Sequence, residues 1–407
     1  MSISSSYFAE NIRKTNRRSK ISLAYESKLN CLWSSLFSLY GVRISNGGRT
    51  LKGTRKGVIF LIICIQLAIF IHYSSAIVFG TVIGQGVQTA AFLIPLAINA
   101  LLAVLCVGIL YRRSYQLFCF NNRLIRVIHV RKDWAVKTWR HAIINLLFTQ
   151  MTMVLASGSA IVALVTADQE TGQLLTQLYL PGAKLEPENM HFGLILLGIE
   201  FTVLAFSCMM CLNVTISFYA HICYLLALYF KKFNLDVKLY LLKGKIMNSS
   251  QLNYFRYKHQ EICKDTEIIS KLFSPCLVLC IFGFIINVCF DLRTLKGRPP
   301  ILLFIGFTVG ALRHFILLLQ LFYDAAELNK NAHEIGEKFV TLFTPEAKLE
   351  SQQQNRQYIL NYILFSQRLL NTQIGVTASG LFILNTASFL SMTGTVLTYV
   401  IVLYQTA

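Results

Sequence analysis

Residues 57–80 read GVIFLIICIQLAIFIHYSSAIVFG, a block without a single Asp, Glu, Lys or Arg. The hydrocarbon core of a bilayer is about 30 Å thick, and about 20 apolar helical residues cross it. Lys52, Arg55 and Lys56 stand directly before the block, as flanking cations on the cytoplasmic side would. Working outward, the pattern recurs at Thr89–Tyr111, His141–Val165, Leu272–Phe290, Pro300–Tyr323 and Gly375–Gln405. Another block begins near His191 and stays apolar to about Phe230, which predicts a span over 191–217 continuing beyond the bilayer as a helix to 230. β-barrel spans would instead alternate polar and apolar residues over about ten positions. The expected fold class is therefore an all-α membrane protein with seven transmembrane helices. A shorter stretch, Leu29–Tyr40, is too short to span and reads as an interfacial or re-entrant helix.

Composition agrees. Of 407 residues, 55% are hydrophobic and only 14% charged, against roughly 25% charged in an ordinary soluble domain. The formal net charge of +19 would suggest nucleic acid in a soluble protein. Here the cations sit between apolar blocks, so topology explains them and no nucleic-acid partner is expected. Segment 1–56 carries 11 Lys/Arg and two acids, 112–140 eight and one, and 231–271 nine and four. The intervening loop 166–190 carries one Lys and four acids. The positive-inside rule then predicts a cytoplasmic N-terminus and an extracellular C-terminus. On this reading 166–190 and 291–299 are extracellular, and 324–371 is cytoplasmic. The short loop 291–299 has three basic residues and leans the other way, and 324–371, with five basic and six acidic residues, is nearly neutral. No cleavable signal peptide is read in the polar first 20 residues, so the block at 57 is expected to act as an internal signal anchor.

Chemistry-bearing motifs are scarce. The chain shows no phosphate-binding loop, dinucleotide fingerprint, zinc helix or nucleophile elbow, and His333-Glu334 has no second His at the needed spacing. No enzyme, metal or cofactor is expected. Cys208-Met-Met-Cys211 has metal-like spacing but lies inside a span without partner ligands, and reads as structural. No outside disulfide is expected from the cysteine positions. The sequons at Asn213 and Asn248 fall inside a span and on the cytoplasmic side, where neither would be glycosylated.

Ionisable groups inside spans are costly and default to functional candidates. Glu200 lies in the fourth span and Arg313-His314 in the sixth. Either they face a water-accessible ligand pocket, or they pair with each other or with backbone carbonyls and hold the bundle. Asn99, Gln150 and His72 are weaker candidates, each also readable as an interhelical hydrogen-bonding group.

The final block has a polar side. On a helix at 100° per residue, Ser388, Ser391, Thr395, Thr398, Val402, Gln405 and Thr406 fall within about a third of the circumference. Such a stripe can line water, pack closely against a neighbouring helix, or arise by chance, because Ser and Thr also bond their own helix carbonyls. The block ends in TYVIVLYQ, residues 398–405: Thr398-Tyr399, five apolar residues, then Gln405. This resembles the signature of insect gustatory receptors, Thr-Tyr, five hydrophobics and Gln-Phe at the end of the seventh helix. GLFILN at 380–385 is similar to that family's approach to this helix. Thr406 departs from the pattern, standing where the family usually has Phe.

The resemblance implies a ligand-gated cation channel in the plasma membrane of chemosensory neurons. It implies a tetramer of like or related subunits, with four copies of the seventh helix around the pore. Ser391, Thr395, Thr398, Val402, Gln405 and Thr406 would line the pore or its gate. It further implies an anchor between subunits in 324–371 and a pocket for a small-molecule tastant within each subunit. Partners would be membrane lipid, permeant cations and other receptor subunits. The sugar-sensing branch carries Glu after the Thr-Tyr pair, where this chain has Val400, so an aversive or bitter-type receptor is expected. The nearest rival is an insect odorant receptor of the same fold. More distant rivals are a G-protein-coupled receptor, which needs an outside N-terminus, and a transporter.

Overall fold

The computed structural model describes residues 20–42, 53–82, 86–129, 132–166, 190–242, 249–297, 301–342, 352–371 and 373–405, with isolated positions between 169 and 176. The chain folds into α1 (Lys20–Leu39), α2 (Gly53–Val82), α3 (Gly86–Ile128), α4 (Lys132–Val165) and α5 (Met190–Leu204). A π-turn (Ala205–Met209) joins α5 to α6 (Met210–Leu242); α7 (Ser249–Lys296), α8 (Ile301–Leu342) and α9 (Gln352–Asn371) follow. The chain closes with a hairpin, β1 (Thr377–Ala378) and β2 (Phe382–Ile383), and α10 (Thr386–Gln405). The all-α expectation holds. Among the described residues, six helical stretches are by length and composition fit to cross a membrane, and α10 adds a shorter apolar stretch, Thr386–Val402.

Where no water reaches the backbone, every N–H and C=O must be satisfied within the segment, which selects helices. Which helix sits in the middle follows from its sides. From Cys211 to Phe230 every side chain of α6 is buried except half-buried Tyr224. Its sides are mostly apolar, with Asn213, Thr215, Ser217 and His221 buried among them, and α3, α4, α7 and α8 surround it. The outer helices are asymmetric. α2 exposes Phe60 and Ile71 while burying Tyr73 and Ala76, and α4 exposes Leu147 and Met151 while burying Leu146 and Met153. Apolar residues so exposed on the outward side fit a lipid boundary.

Three sequence expectations need correction. The stretch 29–40 belongs to a helix that starts at Lys20, and its apolar side is buried in the bundle rather than left for an interface. Leu29, Trp33 and Phe37 recur every four residues and are almost fully covered, with Trp33 and Phe37 edge-on to Phe218 of α6 at 5.1 and 5.0 Å. The final helix begins at Thr386, not Gly375. Asp291 lies within α7, which continues to Lys296, and does not start a loop.

Local chemistry explains the late start of α10. Ser379 and Gly380 adopt left-handed φ of 50° and 72° and turn the chain back on itself. A glycine accepts that conformation without steric cost. Asn385 then caps the helix reciprocally: Ser388 N–H donates to Asn385 Oδ1 at 2.8 Å, and Asn385 N–H donates to Ser388 Oγ at 3.1 Å. This is the logic of a capping box. The hairpin is tied to α7, where Thr377 N–H donates to Ser270 Oγ at 3.0 Å and Ser379 N–H donates to Ser274 Oγ. Asn329 of α8 donates to the Ile374 carbonyl at 2.7 Å.

α7 and α8, with 48 and 42 residues, extend about 72 and 63 Å at 1.5 Å per residue. Both far exceed a bilayer core, so long parts of each project past it. There α9 packs on them, with Phe339 of α8 edge-on to Phe365 of α9 at 5.2 Å, and Lys238 of α6 pairs with Glu334 of α8 across 2.8 Å.

Helices α3 and α7 approach closely at Gly283. A Cβ there would lie 2.6 Å from Leu102 Cδ1 and 3.2 Å from Ile98 Cγ2. Gly283→Val should therefore overpack this crossing and destabilise the protein by about 1–3 kcal/mol. A thermal unfolding midpoint in detergent equal to wild type would show that the crossing relaxes freely.

Candidate functional site

Small residues open the bundle at one place. Ala156, Ser157 and Ala160 on α4 face Gly306 and Gly310 on α8 around a cavity of about 100 Å³. At Gly306 an added Cβ would meet nothing closer than Ser159 Oγ at 4.0 Å. The walls are apolar: Leu96 of α3, Leu164 of α4, Phe201 of α5, Met209 of the π-turn, and Leu303 and Phe307 of α8. Pro95, inside α3, also lines it. The π-turn brings Met209 to the cavity, and its irregular backbone is supported from outside. Gln66 of α2 donates to the Ser207 carbonyl at 2.7 Å, and Tyr40 Oη donates to the Phe206 carbonyl at 3.3 Å. Single π-turns in helices are frequent at functional sites.

One side of the cavity is polar. Asn99 of α3, Asp291 of α7, and Arg313 and His314 of α8 all line it, and all four are nearly fully buried. His314 Nδ1 stands 3.1 Å from Asp291 Oδ2. Its Nε2 faces three nitrogens at 3.2 Å: Asn99 Nδ2, Asn287 Nδ2 and Arg313 Nη1. A ring nitrogen surrounded by donors must accept, so the ring proton resides on Nδ1 and is donated to Asp291. His314 is then neutral, and the permanent charge of Arg313 is balanced by the Asp291 carboxylate. Arg313 Nη2 donates to Asn213 Oδ1 at 3.2 Å, and Asn213 Nδ2 donates to the Thr149 carbonyl at 2.8 Å. Thr149 and Ser217 hydroxyls meet at 3.0 Å. A Cβ at Gly310 would lie 3.4 Å from Asp291 Oδ2, in ordinary contact with the carboxylate. The network links α3, α4, α6, α7 and α8.

The sequence candidates separate into two groups. Asn99, Arg313 and His314 come together at the cavity. Glu200 and His72 pair with each other at 2.7 Å between α5 and α2, and neither lines the cavity. Gln150 is on α4 away from the lining, with its Nε2 buried and without a partner among the described residues. Asn213, Asn287 and Asp291, with Thr149 and Ser217, escaped the sequence reading. The fourfold spacing of Asn287 and Asp291 on one helix face was the available signal.

The polar side of α10 lies apart from the cavity. Ser391, Thr395, Thr398, Val402 and Gln405 are all exposed on the single chain. Thr395 and Thr398 hydroxyls donate to their own helix carbonyls, of Ser391 at 3.0 Å and Gly394 at 2.9 Å. Thr406 lies outside the described residues.

The sequence profile of the 7tm chemosensory receptor family matches residues 29–407. No curated protein sequence matches the chain. Among solved structures, the insect olfactory receptor OR5 from Machilis hrabei has a similar fold. Its TM-score is 0.65 at 16% identity, over 94% of this chain and 98% of that one. The same receptor in complex with eugenol gives a TM-score of 0.63 at 15% identity, over the same shares, 94% and 98%.

Asp291→Asn removes the only acid among the described residues of the cavity lining and leaves Arg313 uncompensated. Breaking a buried charge pair from one side costs about 3–5 kcal/mol, and a loss of that size is expected in thermal unfolding. Adding Arg313→Gln should recover part of it, as a double-mutant cycle would report. Strictly additive losses would mean that the two charges do not compensate each other.

Proposed function

We propose that this chain, which belongs to the 7tm chemosensory receptor family, is a gustatory receptor acting as a ligand-gated cation channel in the plasma membrane of chemosensory neurons. The observation that carries the reading is the Thr398-Tyr399, five apolar residues, Gln405 pattern at the end of α10, which resembles the gustatory signature. Two features support it. The polar side of α10, from Ser391 to Gln405, is uncovered on the single chain, as a surface meant for other copies around a conducting path would be. A partly polar cavity lies elsewhere in the same chain, so binding a small molecule and conducting ions have separate places.

In this reading a small-molecule tastant enters the cavity beside Arg313 and His314 and shifts the balance between closed and open arrangements of α10. A ligand moves such an equilibrium only by its differential affinity for the two states. The hairpin tied to Ser270 and Ser274 of α7 connects the bundle that holds the cavity to α10. The N-terminus is cytoplasmic, following the cationic segments 1–56, 112–140 and 231–271. Val400 in place of an acidic residue after Thr398-Tyr399 favours an aversive or bitter-type stimulus over sugar.

An odorant receptor is the second reading, favoured by the solved structures of similar fold, which are of an olfactory receptor, one of them in complex with eugenol. Expression in a non-neuronal cell with matched tastant and odorant panels separates the two by which panel evokes current.

For the conducting path, Thr398→Leu and Gln405→Ala should each change unitary conductance or basal opening several-fold while surface expression is kept. Patch-clamp recordings identical to wild type for both would assign the stripe to packing.

A further inference from the structure

Helix α7 runs through Pro275 without ending. Proline has no amide hydrogen, so the carbonyl one helical turn back, of Lys271, loses its donor, and the ring crowds that carbonyl. Arg113 of α3 stands in for the missing amide. Its Nη1 donates to the Lys271 carbonyl at 2.5 Å and to the Leu272 carbonyl at 2.6 Å. Both partners sit where apolar blocks end: Arg113 follows Thr89–Tyr111, and Lys271 precedes Leu272–Phe290. A cation there keeps contact with water and is spared the cost of hydrocarbon. Water at such a boundary can satisfy a carbonyl, but only a side chain of α3 does so while tying α7 to α3. The bridge also ends a continuous seam. α3 and α7 run antiparallel, with Cys106 Sγ 3.8 Å from Cys280 Sγ, and with Leu102 Cδ1 2.6 Å from where a Cβ on Gly283 would lie.

The base of α10 is held at the same turn. Ser270 and Ser274 bracket the two bridged carbonyls and meet the hairpin. Thr377 N–H donates to Ser270 Oγ at 3.0 Å, the Ser270 and Thr377 hydroxyls lie 2.7 Å apart, and Ser379 N–H donates to Ser274 Oγ. We propose that Arg113 is a positioning residue: it takes the place of the amide that Pro275 lacks, fixes this turn of α7 against α3, and through Ser270 and Ser274 sets where α10 begins. Its consequence for gating rests on the reading of α10 as a pore helix. Movement of α3 against α7 then reaches α10 through one guanidinium and two serines.

The test is a cycle of variants of the full chain in lipid nanodiscs: Arg113→Gln, Arg113→Lys, Pro275→Ala and the double variant Arg113→Gln/Pro275→Ala. Hydrogen exchange is followed by mass spectrometry in peptides covering 268–280 and 376–388. Arg113→Gln is expected to speed exchange in both peptides by at least about tenfold, as local opening of that turn would, with α6 still protected. Arg113→Lys recovers part of the protection, because an ammonium still donates to a carbonyl but lacks the fork. Pro275→Ala restores an N–H for the Lys271 carbonyl, so adding Arg113→Gln to it has little further effect. An equal effect of Arg113→Gln with and without Pro275→Ala shows that Arg113 does not replace the amide and overturns the proposal. Faster exchange in 268–280 alone overturns the placement of α10. If Arg113→Gln does not fold, the double variant decides: folding rescued by Pro275→Ala upholds the proposal, and folding not rescued overturns it. In cells, Arg113→Gln should shift the half-maximal stimulus concentration at least about threefold with unitary conductance unchanged. An unshifted response overturns the link to gating. No evoked current from the wild type overturns the channel reading instead, and exchange still decides the role of Arg113.

Discussion

Backbone amides and carbonyls in hydrocarbon have no water to turn to, and that single constraint shapes the molecule. It makes each long apolar block a helix. It also leaves side-chain character to decide which helix goes where. α6, buried on nearly every side from Cys211 to Phe230, takes the centre. α2 and α4, with one packed side and one exposed apolar side, take the rim. The one described departure from regular helix in the bundle, the π-turn at 205–209, survives because Gln66 and Tyr40 supply donors to its carbonyls.

The same shortage of water gathers polar side chains. Asn99, Asn213, Asn287, Asp291, Arg313 and His314 come from four helices, and each is tolerable in the interior only because the others are there. Asp291 and Arg313 cancel in charge, His314 bridges them by holding its proton on Nδ1, and the amides fill the remaining positions. The arrangement is balanced in charge, and Asn99, Asp291, Arg313 and His314 line the cavity.

The end of the chain follows different rules. Gly380 and Ser379 turn the backbone, Asn385 and Ser388 cap the helix, and the serines of α7 fix the hairpin in place. α10 therefore leaves the bundle from a hydrogen-bonded base and exposes most of its length. Ser391, Thr395, Thr398 and Gln405 are uncovered in the single chain, whereas equally polar groups inside the bundle are all but sealed.

The sequence by itself determined the helical class and the apolar blocks, because a block such as 57–80 has no other way to satisfy its backbone. It also carried the family resemblance, because Thr398, Tyr399 and Gln405 stand at fixed spacing within eight residues. It placed Arg313 and His314 among the candidates, since ionisable groups in a span stand out. It did not reveal that Glu200 meets His72 rather than the cavity, or that Asp291 belongs to α7 and faces His314. Those pairings join residues 128 and 23 positions apart, and which helix faces touch depends on rotation and crossing, which periodicity does not encode. The start of α10 at Thr386 was hidden for a related reason. Hydropathy runs unbroken through Phe382 and Ile383, and only the backbone turn at Ser379 and Gly380, held against α7, makes those residues a strand.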